Sequence, residues 1–144
     1  EQPGHVTCGR QHFESAELRF FGDAREALAQ HNPNLLLLSS VLQYLPDPHG
    51  TLQSLLSLNI PYLITDRTAF SNSNRDRLTV QTVPDQIYSA SYPAWFFGET
   101  RFLQTITGAG YTLIGDFAAL DRLSPVDEPG YSKGFIFERA PATR

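Results

Sequence analysis

The feature that most constrains the fold is an uninterrupted apolar run, "NLLLLSSV", at residues 34–41. Its four successive leucines do not alternate with polar residues, so the strand that they predict has no face suited to water. Such strands are typical of parallel sheets that helices cover on both faces. The run ends in Ser39 and Ser40, and a turn with two prolines follows at residues 45–48. The sequence therefore predicts a strand buried on both faces whose end is small and polar.

Strand-like and helix-like segments alternate around this run. The aromatic segment at residues 17–24 predicts a strand, and the helix formers at residues 24–32 predict a helix after it. Residues 46–59 carry leucines at helical spacing, and residues 60–70 predict the next strand. This alternation indicates an α/β domain with a largely parallel sheet.

The remaining chain predicts one more helix and two closing strands. The helix lies at residues 98–110, and the strands at 111–120 and 134–140 have no helix between them, so we expect them to pair antiparallel. Residues 71–97 interrupt the alternation with loop residues, a short predicted strand at 78–83 and a cluster of aromatic residues. Such an aromatic insertion is typical of a lid or a substrate wall.

Composition narrows the class of protein. The chain of 144 residues suits one domain, and its formal charge of -4 leaves no basic excess with which to bind nucleic acid. No apolar run approaches the roughly 20 residues that cross a bilayer, so no membrane partner is expected. The single cysteine, Cys8, cannot form an internal disulfide, which agrees with a cytoplasmic location. The four histidines lack zinc-type spacing, so no metal is expected.

Several stretches, taken in order, resemble the later part of a class I S-adenosylmethionine-dependent methyltransferase. "LRFFGDA" is similar to the third strand of that family, "LLLLSSVLQYLPDP" to the fourth strand with its turn, and "YLITDRTAF" to the fifth. "GAGYTLIGDF" and "GFIFER" are similar to the sixth and seventh strands. The resemblance implies a Rossmann-like methyltransferase sheet, mostly parallel, with an antiparallel last strand.

A narrower resemblance is to a small family of bacterial methyltransferases of unassigned substrate. It is carried by "SSVLQYL", "ITDRTAF", "VQTVPDQIYSASYPAWFF" and "GYTLIGDF". The Gly-rich turn that holds the cofactor in methyltransferases is absent, since Gly4 and Gly9 follow no predicted strand. We therefore expect residues 1–144 to be the C-terminal part of one methyltransferase-like domain whose N-terminal strands are missing, and to be inactive alone.

The resemblance implies cofactor contacts near the start of the chain. Glu1 falls at the end of the family's second strand, where an acidic residue accepts hydrogen bonds from both ribose hydroxyls. Gly22, Asp23 and Ala24 fall where the family borders adenine. Two simpler interpretations stay open: Glu1 is a frayed terminus, and Asp23 is the N-cap of the helix that starts near Ala24.

Further residues are implied at the end of the leucine-rich strand. Ser39, Ser40 and Gln43 are expected beside the cofactor's methyl group, and Tyr44 beside the substrate. The alternative is that the serines satisfy backbone groups at the strand end while Tyr44 packs on the sheet with its hydroxyl at the rim.

The candidates for substrate binding and for proton transfer lie in the next strand, in the turn and in the insertion. Arg67 is suited to hold a carboxylate or a phosphate with two hydrogen bonds, or else forms a surface ion pair. Tyr92 and Trp95 are suited to cover a flat substrate, although aromatic residues more often belong to the core. Asp66 and His49 are the candidates for a general base, with His49 alternatively a solvated turn residue.

The sequence predicts methyl transfer from S-adenosylmethionine to a small acceptor that it does not identify. The alternative is a non-catalytic Rossmann-like module for binding or assembly. In the family the fourth strand lies beside the first, so residues 35–41 should here present an apolar edge. We expect this edge to be covered by a homodimer, by strand exchange or by an N-terminal half.

Overall fold

The computed structural model describes residues 2–121 and 127–140. Glu1, the predicted ribose ligand, lies outside the described residues. The chain divides into two compact units, residues 1–33 and residues 34–144, and each is described by itself.

The first unit contains two helices, α1 (Pro3–His12) and α2 (Ala24–Gln30). Pro3 suits the first turn of α1, where its missing N–H would have no helical partner. Gly9 lies against the ring of Phe20, and a Cβ atom at this position would come within 2.4 Å of a ring carbon. Glycine at position 9 therefore allows the segment before α2 to pack on α1.

The predicted strand at residues 17–24 is wrong, whereas the helix predicted after it is confirmed as α2. Within this unit no described strand lies beside the segment, and a strand needs a hydrogen-bonded neighbour. Its backbone groups bond locally instead: the Phe20 carbonyl accepts from Arg10 Nε at 2.9 Å, and the Leu18 carbonyl accepts from the Ser15 N–H at 2.9 Å.

The second unit is built on a four-stranded sheet in the order β1-β2-β6-β5. Its strands are β1 (Leu35–Ser39), β2 (Tyr62–Ser71), β5 (Tyr111–Ala118) and β6 (Gly130–Arg139). Strands β1, β2 and β5 run in one direction and the last strand runs in the other, as predicted. Because β6 lies between β2 and β5, only the β1–β2 pairing is parallel.

One face of this sheet, the covered face, carries Leu63, Phe70, Phe135 and Phe137, all 0–1% exposed. Helices α3 (Pro48–Leu56) and α4 (Glu99–Gly108) pack on it and confirm the two helices predicted for this part of the chain. Their contribution to the core consists of Leu52, Leu56, Phe102 and Ile106. The Phe102 ring lies edge-to-face on Phe70, with centroids 5.3 Å apart.

The opposite face, the open face, carries Leu35, Leu37, Tyr62, Ile64 and Ile136, as the strand register requires. Leu35 is 43% exposed and Leu37 is 56% exposed. The prediction that the leucine strand is buried on both faces is therefore wrong for this structure. The physical reason is that α3 and α4 both pack on the covered face, and β1 also lies at the edge of the sheet.

The aromatic insertion forms an antiparallel hairpin of β3 (Arg77–Thr82) and β4 (Ser91–Phe96). The short strand predicted at residues 78–83 is confirmed, and the second strand was not predicted. Pro93 lies within it, opposite Val80, and a strand of a two-stranded ribbon tolerates the missing N–H because one of its sides is unpaired. The N–H of Phe97 donates to the Ala69 carbonyl at 2.9 Å and joins the hairpin to β2.

Candidate functional site

The carboxyl ends of β1 and β2 bring Ser39, Ser40 and Asp66 together. Ser39 and Asp66 are register partners, and Ser39 Oγ donates to Asp66 Oδ2 at 3.0 Å. The Ser40 N–H donates to the Asp66 carbonyl at 3.0 Å. The two serines thus satisfy groups at the strand ends, which is the simpler role considered for them, while they remain at the edge where ligands bind in open α/β sheets.

The backbone at this edge is strained at two positions, one directly after β1 and one within β2. Ser40 has φ 53° and Arg67 has φ 51°, in the left-handed region that side chains other than glycine seldom adopt. Arg67 also lies in an irregularity of β2 between Thr65 and Thr68, where its pairing with β6 shifts. Such outliers and bulges concentrate at functional sites, where they set the direction of a side chain.

Gln43 connects Ser40 and Arg67, the two strained residues, through hydrogen bonds. It lies in a short 3-10 helix, Leu42–Tyr44, and is 5% exposed. Its Nε2 donates to the Arg67 carbonyl at 2.9 Å and to Ser40 Oγ at 3.3 Å. Its Oε1 is buried and has no hydrogen-bond partner among the described residues, an arrangement that typically costs about 1–3 kcal/mol. Gln43 therefore offers one free acceptor at the strand ends.

Arg67 forms a two-point ion pair with Asp121. Nε donates to Asp121 Oδ2 at 2.8 Å and Nη2 donates to Oδ1 at 3.0 Å. The hydrogen bonds and the charge of Asp121 raise the pKa of Arg67, and the charges of Asp66 and Tyr44 add to this rise. The predicted surface ion pair is thus observed, and the arginine fork is directed at a carboxylate of its own chain.

Tyr44 and Tyr92 connect the strand ends with the hairpin. Their rings meet edge-to-face with centroids 5.5 Å apart, and the Tyr44 hydroxyl donates to Gln81 Oε1 at 3.2 Å. Burial raises the pKa of Tyr92, and the charges of Tyr44 and Tyr88 contribute to the rise. The insertion therefore lies next to the strand ends, where a lid or a substrate wall is needed.

Trp95 occupies a different position from the one predicted for it. It is partly buried, packs against the hydrophobic core and lies opposite Leu78 in the hairpin. The Tyr92 side chain belongs to the other face of the same strand, because neighbouring positions alternate. Trp95 thus takes the core role that was the alternative for it.

His49 lies in a charged cluster that fastens the hairpin to the helices. Its Nε2 is 2.8 Å from Asp76 Oδ2, and Arg101 Nη1 is 2.7 Å from the same oxygen. Asp76 Oδ1 accepts from the Gly98 N–H at 2.8 Å. Among the described residues, no hydrogen bond or ion pair joins His49 to Asp66. Of the two candidate bases, Asp66 is the one at the strand ends.

The predicted adenine contacts lie in the first unit. Asp23 Oδ1 accepts from the Glu26 N–H at 2.8 Å, so Asp23 is the N-cap of α2, as the simpler interpretation has it. The Gly22 N–H donates to Glu26 Oε2 at 2.7 Å, and Ala24 is the first residue of the helix. These residues have local roles in starting α2.

The first unit also contains a polar cavity of about 450 Å³. Its charged residues pair with each other, Arg10 with Glu26 at 3.1 Å and Arg19 with Glu14 at 3.8 Å. The cavity therefore presents no net charge to a ligand from these four groups. None of the described residues that were predicted for the site lines it.

In residues 2–121 and 127–140, no cluster of three or more His, Cys, Asp or Glu side chains is arranged to hold a metal ion. Over the same residues, no helix is both long enough and apolar enough to cross a membrane.

No protein-family model matches the sequence, and no curated protein matches it either. Among solved structures, the fold is similar to the crystal structure of the glycopeptide N-methyltransferase MtfA complexed with S-adenosyl-L-methionine, with a TM-score of 0.55 and 7% identity. The match covers 78% of this chain and 56% of that one, so the chain spans little more than half of its structural neighbour. The likeness shows that the chain has a methyltransferase-like fold.

Proposed function

We propose that this chain is part of a methyltransferase that uses S-adenosylmethionine and transfers the methyl group to a small acceptor. The observation that carries the proposal is the fold shared with a methyltransferase whose structure contains that cofactor. The polar residues at the ends of β1 and β2 support it, because ligands of open α/β sheets bind beyond these ends.

The residues present fit part of such a cofactor. Gln43 Oε1 is a buried acceptor without a partner, which an amino or hydroxyl group of a ligand would satisfy. Ser39 and Ser40 are small, so a ligand can approach the backbone beside them.

The cofactor supplies an activated methyl group, so the chain's own residues have to align the acceptor and keep water away. Asp66 is half-buried and is oriented by the Ser39 hydroxyl, which suits it to take a proton from the acceptor nucleophile. Tyr44 of the 3-10 helix and Tyr92 of the hairpin form an aromatic wall. His49, paired with Asp76, has a positioning role for the hairpin in this proposal.

The test is calorimetric titration of S-adenosylhomocysteine into this chain and into a longer chain that extends upstream through a Gly-rich turn. We expect the longer chain to bind. Gln43→Leu should weaken binding about fivefold, since it removes the Oε1 acceptor together with the hydrogen bonds that Nε2 donates to Ser40 and Arg67. Gln104→Leu, at an exposed position of α4, is the matched control and should bind like the wild type. Absence of binding to both chains would overturn the proposal.

The open face favours a second candidate, a non-catalytic module for assembly. Leu35 and Leu37 are exposed on β1, and β1 is an edge strand of its sheet. An edge of this kind pairs readily with another chain, so this candidate forms a homodimer through β1. Light scattering behind size exclusion tests it, and a chain that stays monomeric at high concentration would rule it out.

A further inference from the structure

We propose that Arg67 is the receptor for an anionic group of the acceptor substrate, a carboxylate or a phosphate. In this proposal Asp121 is an internal carboxylate that occupies the receptor until the substrate displaces it. The inference rests on the proposed function and names the class of its acceptor. Asp121, which we call the plug, would then compete with the substrate anion for Arg67 at the strand ends.

The receptor side of the pair is held firmly. Gln43, which is 5% exposed, donates to the Arg67 carbonyl at 2.9 Å. The left-handed backbone of Arg67, with φ 51°, sets the direction of its side chain at the irregularity of β2. A non-glycine residue in this conformation persists only where its surroundings hold it there. The backbone that carries the Arg67 guanidinium is therefore held in place.

The plug side of the pair is held mainly by the arginine itself. The nearest backbone hydrogen bond before Asp121 is donated by the Ala119 N–H to the Ser132 carbonyl at 3.2 Å. Leu120, between the two, is fully exposed, at 100%. Among the described residues, the two hydrogen bonds to Arg67 are the only ones that Asp121 makes. Asp121 can thus leave without breaking other described contacts.

The arginine is accessible and has donors to spare. Its side chain is 53% exposed, whereas that of Asp121 is 30% exposed. Asp121 takes Nε and Nη2, and Nη1 makes no hydrogen bond with any described residue. Guanidinium groups bind carboxylates and phosphates through two parallel hydrogen bonds, which is the geometry that Asp121 already shows. An incoming anion would therefore find the fork in the correct arrangement.

The surroundings of the fork agree with this assignment. The charge of Asp66 contributes to the raised pKa of Arg67, so an anion on the fork would place the rest of its molecule near the candidate base. Tyr44 contributes to the raised pKa of Arg67 when its hydroxyl is ionised, and its ring meets Tyr92 at a centroid distance of 5.5 Å. A substrate that carries an anionic group and a flat or apolar part would meet the fork and this aromatic wall together.

The experiment follows the Nε–Hε resonances of the arginines by NMR. The ¹⁵N-labelled chain is titrated with sodium phosphate and, separately, with sodium acetate, at an ionic strength held constant with chloride. A saturable shift of the Arg67 resonance, with the Asp121 amide moving towards its position in Arg67→Gln, is the expected result. The anion that acts at the lower concentration distinguishes a phosphate from a carboxylate receptor.

Variants separate a plug from an ordinary ion pair. Asp121→Asn removes the competing charge and should lower the apparent Kd of the anion about two- to fivefold, since the receptor is then free more often. Arg67→Gln should abolish saturable binding. Arg101→Gln removes another exposed arginine that pairs with an aspartate, and it should leave binding unchanged.

Two results would overturn the inference. One is an Arg67 resonance that shifts no more than that of Arg101 in both the wild type and Asp121→Asn. The other is saturable binding that survives Arg67→Gln. Titration of S-adenosylhomocysteine into this chain and into the longer chain separates the two proposals. Anion binding without S-adenosylhomocysteine binding to either chain leaves the receptor standing and refutes the methyltransferase, and the opposite pattern refutes the receptor alone.

Discussion

The two faces of the four-stranded sheet are made from similar residues and have opposite environments. On the covered face, Phe135 and Phe137 are 1% and 0% exposed beneath α3 and α4. On the open face, Leu37 is 56% exposed and Tyr62 is 39% exposed. The four consecutive leucines contribute to both faces, because neighbouring side chains of a strand point to opposite sides.

This difference teaches that the apolar residues of a strand show which faces are suited to burial. Which face is actually buried depends on where the helices of the same unit pack. Leu38 is 7% exposed, while its neighbour Leu37 remains largely in water. A continuous apolar run therefore predicts that both faces have partners without saying which segment supplies them.

The largest effect is expected on the covered face. Phe137→Ala removes a fully buried ring and should lower the free energy of unfolding by about 3–5 kcal/mol, because it leaves a cavity among packed side chains. Urea denaturation followed by circular dichroism measures the change. A loss below about 1 kcal/mol would mean that the covered face is not the core of the folded chain.

A pH experiment compares two tyrosine–glutamate pairs, one on each face. The Tyr131 hydroxyl donates to Glu99 at 2.5 Å beside the covered face, and burial together with Glu99 raises the pKa of Tyr131 to about 12. The Tyr62 hydroxyl donates to Glu138 at 3.0 Å on the open face, where the hydrogen bond and the charge of Glu138 raise the pKa of Tyr62.

The raised pKa of Tyr131 determines whether the free energy of unfolding rises or falls with pH. An unfolded tyrosine has a pKa of about 10, so the stabilisation is complete below pH 10 and is lost as the pH rises towards 12. Urea midpoints measured at several pH values should therefore fall over this window. Tyr131→Phe should flatten the fall more than Tyr62→Phe does. An equal response of the two variants would show that burial does not distinguish the pairs.

The smallest effect is expected on the open face. Leu37→Thr should change the free energy of unfolding by no more than about 0.5 kcal/mol if the face stays in water, since threonine suits a strand. Urea denaturation at two protein concentrations provides the measurement. A larger loss that depends on concentration would show that a second copy of the chain covers this face in solution.

Much of the second unit could be predicted from its sequence because local patterns decide it. Helical spacing locates α3 and α4, and the parallel pairing of two strands brings Ser39 and Asp66 to one edge. The resemblance to methyltransferases also predicts the antiparallel last strand, which is observed as β6.

Other features depend on partners that a local pattern does not reveal. The segment at residues 17–24 has the composition of a strand but no described strand beside it in its unit. Asp121 pairs with Arg67 from 54 residues away, and nothing near either residue indicates the pairing. His49 meets Asp76 for the same reason, through the folding of the hairpin. Long-range side-chain pairs of this kind follow only from the assembled structure.

The position of β6 between β2 and β5 has a consequence for how the sheet is built. During synthesis, β2 and β5 emerge from the ribosome before the strand that joins them exists. Until Gly130–Arg139 has been translated, β5 has no neighbouring strand and the aromatic core lacks Phe135 and Phe137. The sheet is therefore completed late, by the pairing of β6 with the distant β2, and non-local pairing of this kind slows folding.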